Sequence, residues 1–181
     1  MFTVGQTQCP RRVLIHHCPL LKLEPFNAYT DMDTYLEKVH NQLSDQALAV
    51  DTYAGELHIT VRVGELHNII RLLKEDFGFN YLVDISSVDH YRDEQRFEVS
   101  YNLFNLDHKK RVRIKTFVEE QSPVVDSICD IHPSANWNER EVWDMMGVRF
   151  NNHPDHRRMF MPEDFEYFPM RKEFPLIGIP G

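Results

Sequence analysis

The sequence predicts an α+β, two-layer fold: a mixed, mostly antiparallel sheet with helices packed on one face and a long extended C-terminal arm. Three observations predict this fold. Three segments carry apolar residues at helical spacing, five segments alternate apolar and polar residues as strands do, and the periodicity ends near Phe150. We therefore expect an N-terminal extension of unknown role at residues 1–29, one α/β domain at residues 30–149, and a docking arm at residues 150–181.

The first predicted helix is followed by a hairpin. The helix is expected to begin at Thr30 or Asp31, because either side chain can cap it. One face of this helix is apolar at positions Met32, Leu36, Val39 and Leu43. Residues 47–63 then predict a β-hairpin, since apolar residues alternate after a turn at Ala54–Gly55.

A second amphipathic helix and three strands complete the predicted sheet. Apolar residues at helical spacing indicate the helix over residues 66–77, and Gly78 is typical of its end. A turn at Asp107–His108 joins the last two strands. The three predicted strands cover residues 81–88, 96–106 and 111–118.

Two further helices are expected before the arm. Ser122 followed by Pro123 predicts a short helix through about Cys129, because proline is tolerated in a first helical turn. Asn136 with Glu139 three residues later resembles a capping box, and Gly147 is expected to end that helix.

The predicted arm has no helical or strand periodicity. Five prolines exclude a long helix there: Pro154, Pro162, Pro169, Pro175 and Pro180. The arm is nevertheless rich in Phe, Met and Arg, which bury area at interfaces and are scarce in disordered tails. We expect an extended segment that lies against its own domain or against a partner.

Composition and charge exclude several classes of protein. A net charge of -8 argues against nonspecific nucleic-acid binding, which depends on Lys and Arg. The basic run at residues 108–115 is interpreted as an exposed strand face, with a protein or RNA contact as the alternative. No apolar stretch approaches the roughly 20 residues of a membrane span. The three cysteines lack a CxxC pair, so neither a disulfide framework nor an iron–sulfur or zinc site is predicted: Cys9, Cys18 and Cys129.

Three histidines form a candidate metal-ligand set, which would make the chain a stand-alone metalloenzyme. His153 and His156 have a compatible spacing, and His132 supplies a third imidazole. Pro154 separates the pair, and no further ligand has a recognised spacing, so a packed His153 that fixes a turn is the competing interpretation. No phosphate-binding glycine motif occurs.

Charged residues line the polar side of the helix that starts near Asn136. Glu139 and Glu141 point roughly 200° apart, so they cannot share a substrate as general acid and base. Arg140 and Asp144 can pair at i,i+4. Two interpretations remain open: a solvated face with an internal ion pair, or a charged surface matched to a partner.

The arm adds four cations among acidic neighbours. They are Arg157, Arg158, Arg171 and Lys172. Arginine is preferred for bidentate pairing across interfaces, whereas pairing inside the arm is the alternative.

The segment EREVWDMMGVRFNNHPDHRRMFMPEDF, followed by PMRKEFP, resembles the C-terminal signature of one family of respiratory complex I subunits. This family is the 30-kilodalton subunit of type I NADH:quinone oxidoreductase, also called type I NADH dehydrogenase. The similarity extends more loosely over residues 66–175. Four positions depart from the usual pattern and affect local turns: Asn152, His156, Phe165 and Glu173.

The resemblance implies a structural subunit of a proton-pumping NADH:quinone oxidoreductase, whose arm docks on the neighbouring subunit that helps to form the quinone site. It implies no catalytic residue and no cofactor in this chain, since the flavin and iron–sulfur clusters belong to partner subunits. The expected location is peripheral, on the cytoplasmic face of a bacterial inner membrane or the matrix side of a mitochondrion. The residues that match the motif are the interface candidates: Glu139, Arg140, Glu141, Asp144, His153, Arg157, Arg158, Arg171 and Lys172.

A different complex with the same architecture is the second hypothesis. An equivalent subunit occurs in membrane-bound hydrogenases and ferredoxin-dependent quinone reductases, and only the set of partners separates these complexes from an NADH:quinone oxidoreductase.

Overall fold

The computed structural model describes residues 33–175 and 177. Its secondary-structure elements include one 3-10 turn, Val63–Glu65, directly before the second helix. In chain order the helices and strands are α1 Thr34–Leu43, β1 Ala49–Tyr53, β2 Glu56–Val61, α2 Leu66–Glu75, β3 Tyr81–Asp89, β4 Phe97–Asn105, β5 Lys110–Val118, β6 Val124–Asp126, α3 Ala135–Met146 and β7 Arg149–Asn151.

Five strands form the main sheet in the order β1-β2-β5-β4-β3. The β2–β5 pair is parallel, and the other three pairs are antiparallel. The predicted mixed, mostly antiparallel sheet is therefore confirmed. Strands β6 and β7 form a separate parallel pair. Among the described residues, no helix combines the length and apolar character that crossing a membrane requires.

The core lies between the helices and one face of this sheet. Alternate β4 residues from Phe97 to Leu103 are buried together with Val112 and Ile114 of β5. The apolar faces of α1 and α2 pack into the same cluster, as their helical spacing predicts. Each fully buried aliphatic or aromatic side chain contributes about 1.5–3 kcal/mol of transfer free energy. On β5 the cations Arg111, Arg113 and Lys115 point to the opposite face.

The predicted hairpin turn is confirmed. Tyr53 pairs with Glu56, so the loop contains only Ala54 and Gly55. Both loop residues have positive φ, at 54° and 77°. This is the backbone of a type I′ turn, whose twist matches that of the flanking strands.

The first helix begins later than the sequence predicted. Its N-cap is Asp33, whose Oδ1 accepts a hydrogen bond from Tyr35 N at 3.0 Å. The same carboxylate pairs with Lys110 Nζ at 2.7 Å, which ties the start of α1 to β5. Thr30 and Asp31 lie outside the described residues.

The predicted helix over residues 122–129 is wrong. Its centre is strand β6, which pairs in parallel with β7. Arg149 N donates to Pro123 O at 2.8 Å, so the residues around Pro123 extend this pairing. Val125 is buried in the core, and its burial in a strand outweighs the local helix-start signal.

The arm lies against its own domain. Its first two residues, 150 and 151, belong to β7, and no helix or strand follows among the described residues. Met170 N donates to Met145 O at 3.1 Å, and Arg171 Nε donates to Met146 O at 2.7 Å. The end of α3 therefore receives the returning arm.

Gly147 permits this approach. It ends α3 as predicted, with φ at 78°, a conformation that favours glycine. A Cβ there would lie 2.7 Å from Phe168 Cε2 and 2.5 Å from Arg171 Nη2. Both the backbone conformation and the packing of the arm therefore require glycine.

Substituting Gly147→Ala is expected to lower the free energy of unfolding by about 1–3 kcal/mol through backbone strain alone, with an additional loss from displacing the arm. Urea unfolding measures the change. Gly55→Ala isolates the strain, because Gly55 has φ of 77° and no neighbour within 4 Å. Gly64→Ala controls for the added methyl group in open space. An effect of Gly147→Ala no larger than that of Gly55→Ala would contradict the role assigned to the arm.

Candidate functional site

The carboxylate of Asp144 holds the arm on α3. Asp144 is fully buried, at 0% exposure. Its Oδ2 accepts hydrogen bonds from three successive backbone N–H groups, those of Met159, Phe160 and Met161, at 3.0, 2.7 and 3.0 Å. Its Oδ1 pairs with Arg158 Nη1 at 2.7 Å. Burial opposes the charged form, but these donors outweigh it and hold the pKa of Asp144 below its usual range.

Arg140 binds the preceding turn of the arm. Its Nε and Nη2 donate to the carbonyl oxygens of Arg157 and Arg158, at 3.0 and 3.2 Å. Its Nη1 lies 3.6 Å from Asp155 Oδ2. The predicted i,i+4 pairing of Arg140 with Asp144 is thus replaced by contacts of both residues with the arm.

Glu139 is an internal anchor and not a cap. It is fully buried, and its carboxylate accepts from Ser127 Oγ at 2.6 Å and from Ile128 N at 2.8 Å. Burial raises the pKa of Glu139, and these hydrogen bonds only partly offset that effect. The predicted capping box is wrong because Ser127 and Ile128 occupy the carboxylate. Glu139 therefore fixes the segment between β6 and α3.

His153 is packed beside Glu139. Its Nδ1 accepts from Asp155 N at 3.0 Å, and its Nε2 lies 3.1 Å from Asn136 O and 3.8 Å from Glu139 Oε2. An accepting Nδ1 places the proton on Nε2, which then donates to Asn136 O. His153 therefore fixes the turn before Pro154, which agrees with the competing interpretation of this residue.

The fold brings together only part of the predicted histidine set, because the His153 and His156 rings meet edge to face with centres 5.8 Å apart, and the described metal-ligand group has other members. Cys129, Glu139 and His153 have ligand atoms within 4.8 Å of one another, and this is the group of metal-ligand type found among the described residues. Burial raises the pKa of Cys129 to about 12, and His153 Nε2 carries a proton in the observed hydrogen bonds. Cys129 Sγ donates to Glu139 Oε2 at 3.4 Å, so hydrogen bonds join Cys129 to Glu139 and His153 to Asn136 in this group.

The other two histidines of that set are placed differently, since His156 contacts His153 and His132 does not belong to that pair. His132 is buried, and burial followed by the charge of Lys74 lowers its pKa to about 4. Its Nε2 has no hydrogen-bond partner within the described part of the chain. His156 Nε2 accepts from Phe150 N at 3.3 Å, and its ring centre lies 4.2 Å from that of Trp143.

The arginines of the arm stack on its aromatic rings. The Arg158 guanidinium lies 5.6 Å from the ring centre of Trp143 and 5.4 Å from that of Phe168. Arg171 covers the other side of this region, at 4.5 Å from Phe168 and 5.0 Å from Phe97. Burial is the main cause that lowers the pKa of Arg171. The sequence left open whether the arm's cations pair with a partner or within the chain. Arg158 and Arg171 make their contacts within the chain.

A second clamp, which sequence reasoning missed, holds the end of the arm. Arg96 is buried and binds both oxygens of Asp89 at 2.8 Å, while also pairing with Glu120 at 2.5 Å and with Glu173 of the arm. Asp89 Oδ2 also accepts from Lys172 N at 2.8 Å. These bonds join the end of β3 to residues 172 and 173. Sequence reasoning missed these bonds because Asp89 and Arg96 lie at the two ends of a predicted loop. The arm residues that they bind are about 80 positions further along the chain.

The nine interface candidates therefore divide by exposure. Glu141, Arg157 and Lys172 are exposed. Glu139 and Asp144 are fully buried, so neither side chain can contact a partner directly. Arg157 pairs with Asp155 at 2.7 Å. The remaining candidates are buried or half-buried: Arg140, His153, Arg158 and Arg171.

Four large apolar residues of α3 and the arm are exposed, and we call them the docking surface. They are Trp137 at 61%, Phe160 at 57%, Tyr167 at 49% and Met170 at 59%. Arg140 lies 5.2 Å from the Trp137 ring centre, and Arg158 Nη2 donates to Tyr167 O at 3.4 Å. The backbone N–H groups of Phe160 and Met170 donate to Asp144 Oδ2 and Met145 O, at 2.7 and 3.1 Å. The arm composition signals such residues, but the sequence does not show which of them stay exposed.

Replacing Asp144→Asn is expected to release residues 159–161 from α3, because three amides and Arg158 lose a charged acceptor. Hydrogen bonds to charged groups contribute about 1.5–3 kcal/mol each, so we expect unfolding to become easier by about 2–4 kcal/mol. Urea unfolding and amide hydrogen exchange at Met159, Phe160 and Met161 measure the effect. Glu141→Gln, on the exposed side of the same helix, is the control. Unchanged exchange at those three amides would rule out the anchoring role.

The ion pair of Asp89 with Arg96 is expected to make the stability of the fold depend on pH in the acid range. The hydrogen bonds from Arg96 lower the pKa of Asp89 to about 2. The pKa of Asp89 in the folded state lies below its value of about 3.9 in the unfolded chain. The ionised Asp89 therefore stabilises the fold by about 2 kcal/mol at pH values above about 4, and this contribution is lost as the pH falls towards 2. In Asp89→Asn we expect the loss of stability between about pH 6 and pH 3 to be about 1 kcal/mol smaller than in the wild type. Urea unfolding at both pH values tests this, with the exposed Asp93→Asn as control. Equal pH dependence in Asp89→Asn and wild type would refute it.

Comparison with known proteins identifies relatives over most of the chain. Residues 59–179 match the family model described as "Respiratory-chain NADH dehydrogenase, 30 Kd subunit". An NADH-quinone oxidoreductase subunit of Geobacter metallireducens is 40% identical over 145 residues, which cover 80% of this chain and 89% of that protein. The corresponding subunit of Geotalea uraniireducens is 38% identical, covering 78% and 86% of the two chains. A subunit of the Rhizobium etli oxidoreductase is 51% identical over 110 residues, 60% of this chain and 58% of that one.

Solved structures share the fold. A trypsin-resistant fragment of Nqo5 superposes with a TM-score of 0.61 at 30% identity, covering 67% of this chain and 98% of that chain. A chain of the membrane-bound sulfane sulfur reductase, an archaeal respiratory membrane complex, superposes with a TM-score of 0.65 at 24% identity, covering 78% and 86%. The second likeness concerns the fold alone. The family match, supported by relatives aligned over most of their length, shows that this chain belongs to the family of the 30 Kd subunit of respiratory-chain NADH dehydrogenase.

Proposed function

We propose that this chain is a docking subunit, without catalytic residues or cofactors of its own, in the peripheral part of a proton-pumping NADH:quinone oxidoreductase. Its docking surface binds the neighbouring subunit that helps to form the quinone site, which we call the quinone-site subunit. The names of the curated relatives support the complex, since each is a subunit of an NADH-quinone oxidoreductase. Flavin and iron–sulfur clusters are expected in partner subunits, and the chain reaches the cytoplasmic face of the membrane through those partners.

The observation that carries this proposal is the exposure of four large apolar side chains on a segment held by buried charges. An exposed Trp, Phe, Tyr and Met on α3 and the arm resemble the anchor residues of protein interfaces. Asp144 and Arg140 fix the backbone beneath them before any partner arrives. A preorganised surface binds more tightly because little conformational entropy is lost on association.

The nine motif residues then contribute in two ways. Glu141, Arg157 and Lys172 are exposed and can meet charges of the partner directly. The buried members act indirectly, since they set the position of the arm. Charged residues at the rim of an interface mainly affect association rate and specificity, whereas the apolar anchors determine most of the affinity.

Trp137→Ala and Phe160→Ala are each expected to reduce recovery of the quinone-site subunit with the tagged chain by about tenfold or more, because truncating an anchor residue costs about 2 kcal/mol of binding free energy. Mass spectrometry of the complex purified from solubilised membranes measures this. Both residues are more than half exposed, so the thermal unfolding of each variant should remain close to that of the wild type.

Tyr53→Ala is the matched control, because Tyr53 is 66% exposed on the β1–β2 hairpin, away from the arm. Equal recovery of the quinone-site subunit with Trp137→Ala, Phe160→Ala and Tyr53→Ala would reject the docking surface. Wild-type chain recovered with hydrogenase subunits or with a ferredoxin-dependent reductase would reject the assignment to an NADH:quinone oxidoreductase.

A further inference from the structure

A cleft of about 770 Å³ opens beside the docking surface, between the end of α3, strand β7 and the arm. Residues of its lining include Trp143, Arg149, Phe150, Asn152, His156 and Phe168. Phe168 follows Tyr167 of the docking surface directly, so the two features are neighbours along the arm. We call this the Arg149 cleft.

The charge of the Arg149 cleft is unusual for this acidic chain. No Asp or Glu lines it, whereas a carboxylate lines each of four other clefts in the described part of the molecule. Arg149 is exposed on β7 and has no ion-pair partner among the described residues. Asn152 adds an exposed amide to the same wall. The cleft therefore presents donors that fit a carboxylate.

The remaining walls are aromatic and held in place from behind. Trp143 packs against Arg158 at 5.6 Å and against the His156 ring at 4.2 Å. Phe168 packs against Arg171 at 4.5 Å. Because these rings are fixed, the cleft suits a group that joins a negative charge to an apolar stem. A Glu or Asp beside an apolar residue has this chemistry.

We propose that the Arg149 cleft receives an acidic side chain of a partner subunit of the oxidoreductase, which forms a charge-assisted pair with Arg149. This inference rests on the proposed function. Two observations favour a protein carboxylate as the occupant: charge complementarity with a single arginine, and continuity of the cleft with the docking surface. The apolar residues of the docking surface provide most of the affinity, and the charged pair fixes how the two subunits are aligned.

Zero-length carbodiimide cross-linking of the intact complex tests the pairing. In a complex carrying Arg149→Lys, the reagent joins the new amine to any carboxylate in direct contact with it. Mass spectrometry is expected to find an amide bond from position 149 to an Asp or Glu of another subunit. Arg92→Lys, at an exposed arginine of the β3–β4 loop, is the matched control and should give no such link. Links from position 149 only to carboxylates of this chain would overturn the proposal.

Charge reversal provides an independent measurement. Arg149→Glu should lower the recovery of partner subunits at least tenfold without changing thermal unfolding, whereas Arg92→Glu should leave recovery unchanged. Replacing the cross-linked partner carboxylate with Arg should restore recovery in the Arg149→Glu complex. If wild type assembles and Arg149→Glu assembles equally well, the cleft proposal fails while the docking role stands. If wild type recovers no partner, the proposed function itself fails.

Discussion

The buried carboxylate of Asp144 is the constraint on which the candidate site depends. A charge enclosed at 0% exposure is tolerated only when hydrogen bonds replace its lost hydration. Asp144 obtains them from three consecutive amides and from Arg158, all on the arm. Since these donors are fixed to the backbone, the arm has one position in which the charge is satisfied, and Phe160 is held at the surface by that position.

A second buried ion pair sets the other end of the arm. Arg96 and Asp89 connect the end of β3 to residues 172 and 173, while Asp144 and Arg140 connect α3 to residues 157–161. Between the clamps, arginine–aromatic stacking replaces regular backbone pairing. Breaking a buried ion pair costs about 3–5 kcal/mol because it leaves an uncompensated charge, so displacing the arm from these residues is strongly disfavoured.

The sequence predicted those parts of the fold that depend on local pattern. The hairpin at Ala54–Gly55, the three following strands and the end of α3 at Gly147 are set by alternation and by positive-φ residues, which neighbouring positions reveal. The helix over residues 122–129 failed because pairing with β7, more than twenty positions away, decides that segment. Likewise Glu139 matched a capping box by spacing, although its carboxylate is taken by Ser127 and Ile128.

The nine interface candidates stay a prediction, but the contacts that they make within the chain were not visible in the sequence. Spacing and residue type identify the charged helix face, yet they cannot show that its charges turn inward to bind an arm with no periodicity of its own. Asp144 and Arg140 are satisfied internally, so under the proposed function the exposed aromatic and Met residues are the ones that contact a partner. Under the proposed function, the buried charges of this chain's motif act indirectly, because they determine where the apolar side chains are exposed. Changes within the motif should then alter assembly through the order of the arm, even where the changed residue touches no other subunit.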